Sequence, residues 1–131
     1  MRREGLQNAR IQQVIAGLGH PQRIVICAVG LPIPAGVETI DLAVENGLPG
    51  FIDVLRPIAR ELVYEKYVYA QEMAVASGEL LEEMRSLLGN VAAEAVPHEQ
   101  FKEMIRDARA IIRTGSCTPY SNVLLVGGVN F

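Results

Sequence analysis

The chain has 131 residues, of which 50% are hydrophobic and 21% are charged, and its net charge is −3 at neutral pH. This length predicts a single domain spanning residues 1–131, and a compact fold of that mass buries roughly two-thirds of the surface of the extended chain. The apolar content excludes an intrinsically disordered protein. The acidic balance argues against nucleic acid or an anionic membrane as a partner.

The sequence contains two cysteines, Cys27 and Cys117, whose wide separation is typical of neither a disulfide framework nor a zinc motif. We expect reduced thiols and no metal site. Polar residues interrupt any signal-peptide core near the N-terminus, and the longest uncharged apolar stretch, residues 24–37, is too short to span a bilayer. These features predict a cytoplasmic protein that has no membrane partner.

The mean hydropathy is +0.21, which is high for a domain of this size. Apolar atoms make up over half of an ordinary folded surface, and a larger apolar surplus is often covered by a subunit contact. The composition therefore favours a homo-oligomer.

The first predicted element is an amphipathic helix over residues 8–18, in which apolar residues recur at the helical period. Asn8 is a suitable N-cap, because its side-chain oxygen can accept a hydrogen bond from a free amide one turn in. Gly19 is a suitable residue to end the helix. His20 then lies on a turn completed by Pro21.

Two strands and a helix are predicted next. Residues 24–27 form a short apolar run typical of a buried strand, and a rigid loop with two prolines follows at residues 30–34. A second strand covers residues 39–44. Pro49 is suited to open a helix with an apolar stripe, in which Pro57 is expected to cause a kink or an early end.

The second half of the chain continues this alternation. Predicted strands cover residues 62–70, 91–96, 110–113 and 123–126. Predicted helices cover residues 79–88, with Gly89 as the stop, and 99–108. A polar loop, residues 114–122, joins the last two strands. Strands and helices that alternate with short connections predict an α/β fold in which helices cover a central sheet.

The common cofactor signatures are missing, since the sequence contains no phosphate-binding loop, dinucleotide fingerprint, nucleophile elbow or zinc motif. No cofactor is therefore expected. Polar side chains on loops become the candidates, because α/β sheets bind ligands near the ends of their strands. His20 is either a solvated loop residue or a general acid and base, since imidazole titrates near neutrality.

Three further polar residues are candidates for a binding site. His98 follows Pro97 at the start of a predicted helix, where its ring is available to accept a hydrogen bond. Tyr120 and Asn122 lie in a proline turn, and a phenol with a carboxamide can bind sugar hydroxyls through directed hydrogen bonds. The alternative for each is an ordinary residue of a helix start or a turn.

Other polar residues are predicted to be structural. Asp41 lies inside a predicted strand, where a carboxylate usually faces water or a structural partner. Tyr64, Tyr67 and Tyr69 are expected on the sheet surface or in a subunit contact, because no basic stripe accompanies them as in a nucleic-acid platform.

Several segments, taken in order and with their separations, resemble the D-ribose pyranase family, a relative of the fucose mutarotases. The likeness covers essentially the whole chain. Its segments are Leu18-Gly19-His20, Gly30-Leu31-Pro32-Ile33-Pro34, Ile40-Asp41-Leu42, His98-Glu99-Gln100-Phe101-Lys102, Arg113-Thr114-Gly115 and Pro119-Tyr120-Ser121-Asn122.

The resemblance implies a three-layer α/β/α fold with a mixed central sheet. It implies an enzyme that interconverts the pyranose and furanose forms of ribose, in a pentameric or decameric ring with sites between neighbouring subunits. By likeness, His20 is the proton donor, and His98, Tyr120 and Asn122 match sugar-binding positions, with Lys102 assisting nearby. The partner is then a monosaccharide, and no cofactor is needed.

The chain departs from the family pattern in two places. The family normally has Asp-Ala-Gly-Leu-Pro where this chain has Ala28-Val29-Gly30-Leu31-Pro32, and Ser116 stands where members often carry an acidic residue. An aspartate at position 28 would bind sugar hydroxyls, and losing such a charge-assisted hydrogen bond is expected to weaken binding by about 1.5–3 kcal/mol. Two hypotheses follow, an active mutarotase and a non-catalytic sugar-binding or regulatory ring.

Overall fold

The structure is a computed structural model that describes residues 1–131. The helices are α1 Ala9–Gly17, α2 Phe51–Glu61, α3 Met73–Ala76, α4 Gly78–Leu88 and α5 His98–Met104, which a 3-10 turn, Ile105–Asp107, extends. The strands are β1 Arg23–Cys27, β2 Thr39–Asp41, β3 Tyr64–Ala70, β4 Ala92–Val96, β5 Ala110–Arg113 and β6 Val123–Gly127.

All strands join one mixed sheet in the order β2-β5-β1-β6-β3-β4. Strand β1 is parallel to β5 and antiparallel to β6, and β3 is antiparallel to β6 and parallel to β4. Strand β2 is parallel to β5. Five strands therefore run in one direction and β6 alone runs in the other.

Helices cover both faces of the sheet, so the predicted three-layer α/β/α fold is confirmed. One face packs against α1, α2, α3 and α4 in a core of 20 buried residues. The other packs against α5 and its 3-10 turn in a core of 10 buried residues, among them Phe101 and Ile105. Alternate residues of a strand enter opposite cores, as Ile24 and Val25 do in β1.

The predicted ends of two helices are confirmed. The Asn8 side chain accepts a hydrogen bond from the Ile11 amide at 2.9 Å, so Asn8 caps α1. Gly89 ends α4 with φ of 76°, a conformation that glycine adopts without a Cβ penalty.

Helix α2 does not end early at Pro57, which was one of the two effects expected of this proline. Pro57 lies inside this helix, which continues to Glu61. The missing proline amide removes one helical hydrogen bond, but Leu55 and Ile58 on the same helix are fully buried against the sheet. Their burial, at about 1.5–3 kcal/mol for each large apolar side chain, offsets the loss.

Strand β2 is shorter than the predicted 39–44. It ends at Asp41, whose carboxylate accepts a hydrogen bond from the Ala43 amide at 3.0 Å. A side chain that accepts a hydrogen bond from the main-chain amide two residues later forms a turn, and this turn ends the strand. The pattern of apolar residues does not show that the Asp41 side chain competes with a neighbouring strand for the Ala43 amide.

The tyrosine expectation was also wrong for two of three residues. Tyr67 and Tyr69 are 3% and 6% exposed, lie in the larger core and stack with their ring centroids 6.1 Å apart. Tyr64 is half-buried and donates a hydrogen bond to the Leu88 carbonyl at 2.8 Å. Helices α2 and α4 cover this face, which the strand's own sequence does not reveal.

Strand direction decides which loops share an edge of the sheet. The carboxyl edge, at the ends of the five parallel strands, carries the loops that follow β1, β2, β3 and β4 and the loop that joins β5 to β6. The amino edge carries the turn before β1 and the chain after β6. No helix of the chain is both long enough and apolar enough to cross a membrane.

The loop that enters β6 is fixed to the segment before α2 by Gly115. The Gly115 amide donates to the Pro49 carbonyl at 2.9 Å, and its carbonyl accepts from the Gly47 amide at 2.7 Å. A Cβ at position 115 would lie 2.3 Å from the Leu48 oxygen, closer than any real contact. Only glycine allows the two backbones to approach this closely.

We predict that Gly115→Ala lowers the free energy of unfolding by at least about 1–3 kcal/mol, because the two backbones must move apart. Urea denaturation followed by circular dichroism measures the change. Gly17→Ala is the matched control, since a Cβ there meets nothing within 4 Å. Equal stability of the two variants would contradict this account of the contact.

Candidate functional site

A cavity of about 400 Å³ opens at the carboxyl edge of the sheet. Two loops form most of it, the one that follows β1 and the one that enters β6, and the start of α5 completes it. Its lining residues are 28–31, 98, 116–120 and 122, none of which carries a carboxylate, an ammonium or a guanidinium group. We call this cavity the carboxyl-edge pocket.

His98 is the first residue of α5 and is held from two sides. The main-chain amide of His98 donates a hydrogen bond to the carboxylate of Glu72, in the segment after β3, and lies 3.1 Å from each of its oxygens. The His98 ring stacks on Phe101 and meets the Tyr120 ring edge-on, with centroids 5.1 Å apart. Its Nδ1 atom is buried and has no hydrogen-bond partner in the chain.

Tyr120 takes an uncommon backbone conformation, with φ of 60°. Two hydrogen bonds hold this turn in place. The Ser77 hydroxyl donates to the Pro119 carbonyl at 2.6 Å, and the main-chain amide of Asn122 donates to the Tyr120 carbonyl at 2.8 Å. A non-glycine residue at positive φ is strained, and such strain persists only where the surroundings over-determine it. The turn presents the phenol to the pocket.

Asn122 is 3% exposed and connects the two loops of the pocket. Its side-chain oxygen accepts the Ala28 main-chain amide at 2.8 Å. Since that bond fixes the oxygen, the two amide hydrogens of the side chain remain for a ligand. Ala28, His98, Tyr120 and Asn122, four of the predicted site residues, therefore lie together.

His20 lies at the opposite, amino edge of the sheet. It lines a separate cavity of about 370 Å³ that shares no residue with the carboxyl-edge pocket and includes the C-terminal residues 128–131. Its Nε2 atom is 2.9 Å from a Glu65 carboxylate oxygen, and this carboxylate orients the ring. Within one chain, His20 and the pocket are thus apart.

Lys102 lies on α5 but does not line the pocket. It borders a groove between α5 and the proline loop, and its ammonium group is 2.8 Å from a Glu99 carboxylate oxygen. Of the predicted sugar-binding residues, Lys102 alone lies outside the pocket.

Asp41 does not replace the missing carboxylate of position 28. Both of its oxygens accept hydrogen bonds from Arg113, at 3.1 and 3.0 Å, and it does not line the pocket. The Ala43 amide and then the Arg113 guanidinium hold the pKa of the Asp41 carboxyl below its ordinary value. The structural role predicted for this side chain is confirmed.

The profile of the RbsD / FucU transport protein family matches residues 1–130. This chain belongs to that family. Two curated relatives, D-ribose pyranases of Bacillus cereus and Bacillus thuringiensis, are each 50% identical to it over 131 residues, and the match covers 100% of both chains in each pair. The resemblance that the sequence carried is confirmed.

Two solved structures share the fold of this chain. RbsD of Bacillus subtilis, in complex with D-ribose, is 40% identical, matches with a TM-score of 0.96 and covers 100% of both chains. A fucose mutarotase of Streptococcus pneumoniae, in complex with L-fucose, is 18% identical with a TM-score of 0.70, over 95% of this chain and 94% of that one. The second likeness is one of fold.

Sequence reasoning missed three polar residues of this RbsD / FucU domain. Glu72 holds His98, Ser77 holds the proline turn, and Glu65 orients His20. Each acts on a residue far away in the sequence, and none stands in a recognisable motif. Glu65, which follows Tyr64 in a strand, carried only the weak signal of a charge beside a strand's aromatic residues.

The two thiols of this family member are placed very differently. Cys117 is exposed and lines the pocket, whereas Cys27 is buried at the end of β1. Burial raises the pKa of the Cys27 thiol to about 12. A thiol with that pKa has almost no reactive thiolate at pH 8.

We predict that the folded protein exposes one reactive thiol per chain. At pH 8, a thiol reagent such as dithionitrobenzoate is expected to modify Cys117 and to spare Cys27, and to modify both after unfolding in guanidinium. Cys117→Ser is the control and leaves no fast-reacting thiol in the folded state. Rapid modification of the folded Cys117→Ser variant would contradict the burial of Cys27.

Proposed function

We propose that this chain is a sugar mutarotase that interconverts the pyranose and furanose forms of D-ribose or a related monosaccharide, as one ribose pyranase-like domain over residues 1–131. The observation that carries the proposal is the carboxyl-edge pocket, in which His98, Tyr120 and Asn122 present hydrogen-bonding groups on a fixed frame. Relatives at 50% identity that are named D-ribose pyranase support it. The cytoplasm is the compartment that fits a chain with two free cysteines.

The chemistry suits such residues. A cyclic hemiacetal opens when its ring oxygen gains a proton and its anomeric hydroxyl loses one, and the aldehyde then closes again on a different hydroxyl. Positioned acid and base groups accelerate such proton transfers by about 10²- to 10⁴-fold. This chemistry needs neither a redox partner nor a covalent adduct, so the reaction requires no cofactor.

The pocket residues have separate roles in this proposal. The Asn122 amide hydrogens donate to sugar oxygens, and the Tyr120 phenol both donates and accepts. The His98 ring, held by Glu72 at its main chain, binds a further hydroxyl. Lys102, in its separate groove, assists only by its charge in the outer surroundings of the site.

His20 supplies the proton transfer from a neighbouring copy of the chain. In one chain, His20 precedes β1 and the pocket follows it, so the four residue steps of the strand alone separate them by roughly 13 Å. Exposed apolar residues surround His20, since Val63, Val129 and Phe131 are 46%, 43% and 100% exposed. We infer that this surface packs on the next copy in a pentameric or decameric ring.

One observation favours a second function. Ala28 lines the pocket where the family normally has an aspartate, so a ring that binds sugar without converting it is the alternative. Measured exchange and measured binding separate the two functions.

We predict that the protein accelerates pyranose–furanose exchange of D-ribose or a deoxyribose, measured by saturation-transfer NMR at equilibrium. His20→Ala is expected to lower the exchange rate by about 10²- to 10⁴-fold and to leave sugar binding intact. The His98→Ala variant is expected to lose both sugar binding and the acceleration of exchange. Protection of Cys117 from alkylation measures binding independently of turnover. Binding without exchange by the wild-type protein would establish the non-catalytic alternative.

We predict that two inactive variants restore each other when mixed. His20→Ala keeps an intact pocket and Asn122→Ala keeps an intact His20, so co-refolded rings contain sites with both. Random mixing in equal amounts is expected to recover about a quarter of wild-type activity, because each site draws one part from each copy. No recovery in rings that demonstrably contain both variants would show that His20 acts within its own chain or not at all.

A further inference from the structure

The loop after β1 contributes only aliphatic side chains to the pocket. Ala28, Val29 and Leu31 line it with aliphatic side chains, and Gly30 adds none. A sugar hydroxyl that faces this side meets methyl and methylene groups. No side chain on this side of the pocket can accept a hydrogen bond from it.

The hydroxyls of Ser116 and Ser121, both in the loop that enters β6, are engaged in hydrogen bonds within that loop. The Ser121 hydroxyl donates to the Thr118 carbonyl at 2.8 Å, which uses its single hydrogen. In the 2.8 Å contact between the two hydroxyls, Ser116 is therefore the donor. The Ser116 oxygen also accepts the Thr118 amide at 3.3 Å. Both hydroxyls are thus structural parts of the loop.

Asn122 offers a ligand its hydrogens and keeps its oxygen for the protein. The side-chain oxygen already accepts the Ala28 amide. The carbonyl of Ser116 likewise accepts the Val29 amide, at 3.0 Å. These two oxygens, which face the loop after β1, are therefore already engaged by the protein, and the Asn122 side chain offers a ligand its hydrogens as donors.

A buried hydroxyl whose hydrogen has no acceptor is expensive, because it loses its bonds to water without replacement. A carbon that bears hydrogen or methyl instead of hydroxyl avoids this loss and packs against the aliphatic side of the pocket. A site without a partner for one hydroxyl thus favours the ligand that lacks it.

We propose that the ligand of this pocket is a deoxy sugar, a monosaccharide in which the carbon facing Ala28 carries no hydroxyl. This inference rests on the proposed function and names the substrate class of the same site. The remaining hydroxyls and the ring oxygen of the sugar lie toward Asn122, Tyr120 and His98.

The test compares D-ribose, 2-deoxy-D-ribose and 3-deoxy-D-ribose. Affinity is measured by the protection of Cys117 from alkylation, and turnover by saturation-transfer NMR. For the wild-type protein, one of the deoxy sugars is expected to bind about tenfold more tightly than D-ribose. The position of its missing hydroxyl identifies the carbon that faces Ala28.

Ala28→Asp supplies the missing acceptor and is expected to reverse this preference, so that D-ribose becomes the better ligand. Ala92→Asp is the matched control. Ala92 is exposed on the edge strand β4, so this substitution adds the same charge far from the loops of the pocket. It is expected to leave the preference unchanged. The wild-type preference decides the question even where Ala28→Asp fails to fold.

Two outcomes overturn the inference and are distinguishable. A wild-type protein that binds D-ribose as tightly as both deoxy sugars, or more tightly, shows that the substrate class is wrong while the mutarotase proposal stands. A wild-type protein that neither binds nor exchanges any of the three sugars overturns the proposed function as well.

Discussion

The antiparallel pairing of β1 with β6 at the centre of the sheet determines where each polar group lies. Because β6 alone runs against the other strands, the loop that leaves β1 and the loop that enters β6 meet at one edge. The hydrogen bond from the Ala28 amide to the Asn122 side chain closes that junction. The same pairing sends His20 and the C-terminal residues to the other edge. The carboxyl-edge pocket and the exposed apolar residues around His20 therefore lie at opposite ends of one strand pair.

Hydrogen bonds between distant segments hold the loops of the pocket in place. Gly115 joins its longer loop to the segment before α2, Ser77 holds the proline turn, and Glu72 holds the start of α5. The strained backbone of Tyr120 is kept in place by these contacts. Binding to such a frame loses little conformational entropy, and directed donors then select the ligand by shape and hydrogen bonding. With no charged group in the lining, the selection depends on which hydroxyls find a partner.

Most elements could be predicted because their signals are local. The helical period over residues 8–18, the cap at Asn8 and the stop at Gly89 depend on neighbours within one turn of helix. The errors fall where distant contacts overrule local preference. Pro57 stays helical because of the burial of its helix, and Tyr67 and Tyr69 are buried because α2 and α4 cover their face. Helix α3 was missed, since four residues are too few to show a period.

The sequence by itself determined the chemistry available to the site, because residue types are fixed by it: an imidazole, a phenol, a carboxamide and an alanine in place of a carboxylate. It also determined the fold family, through short segments in a fixed order. Only the tertiary structure decided which of these groups meet. That His98, Tyr120 and Asn122 share a pocket while His20 does not follows from the direction of β6, and strand direction is set by long-range pairing that no local pattern encodes.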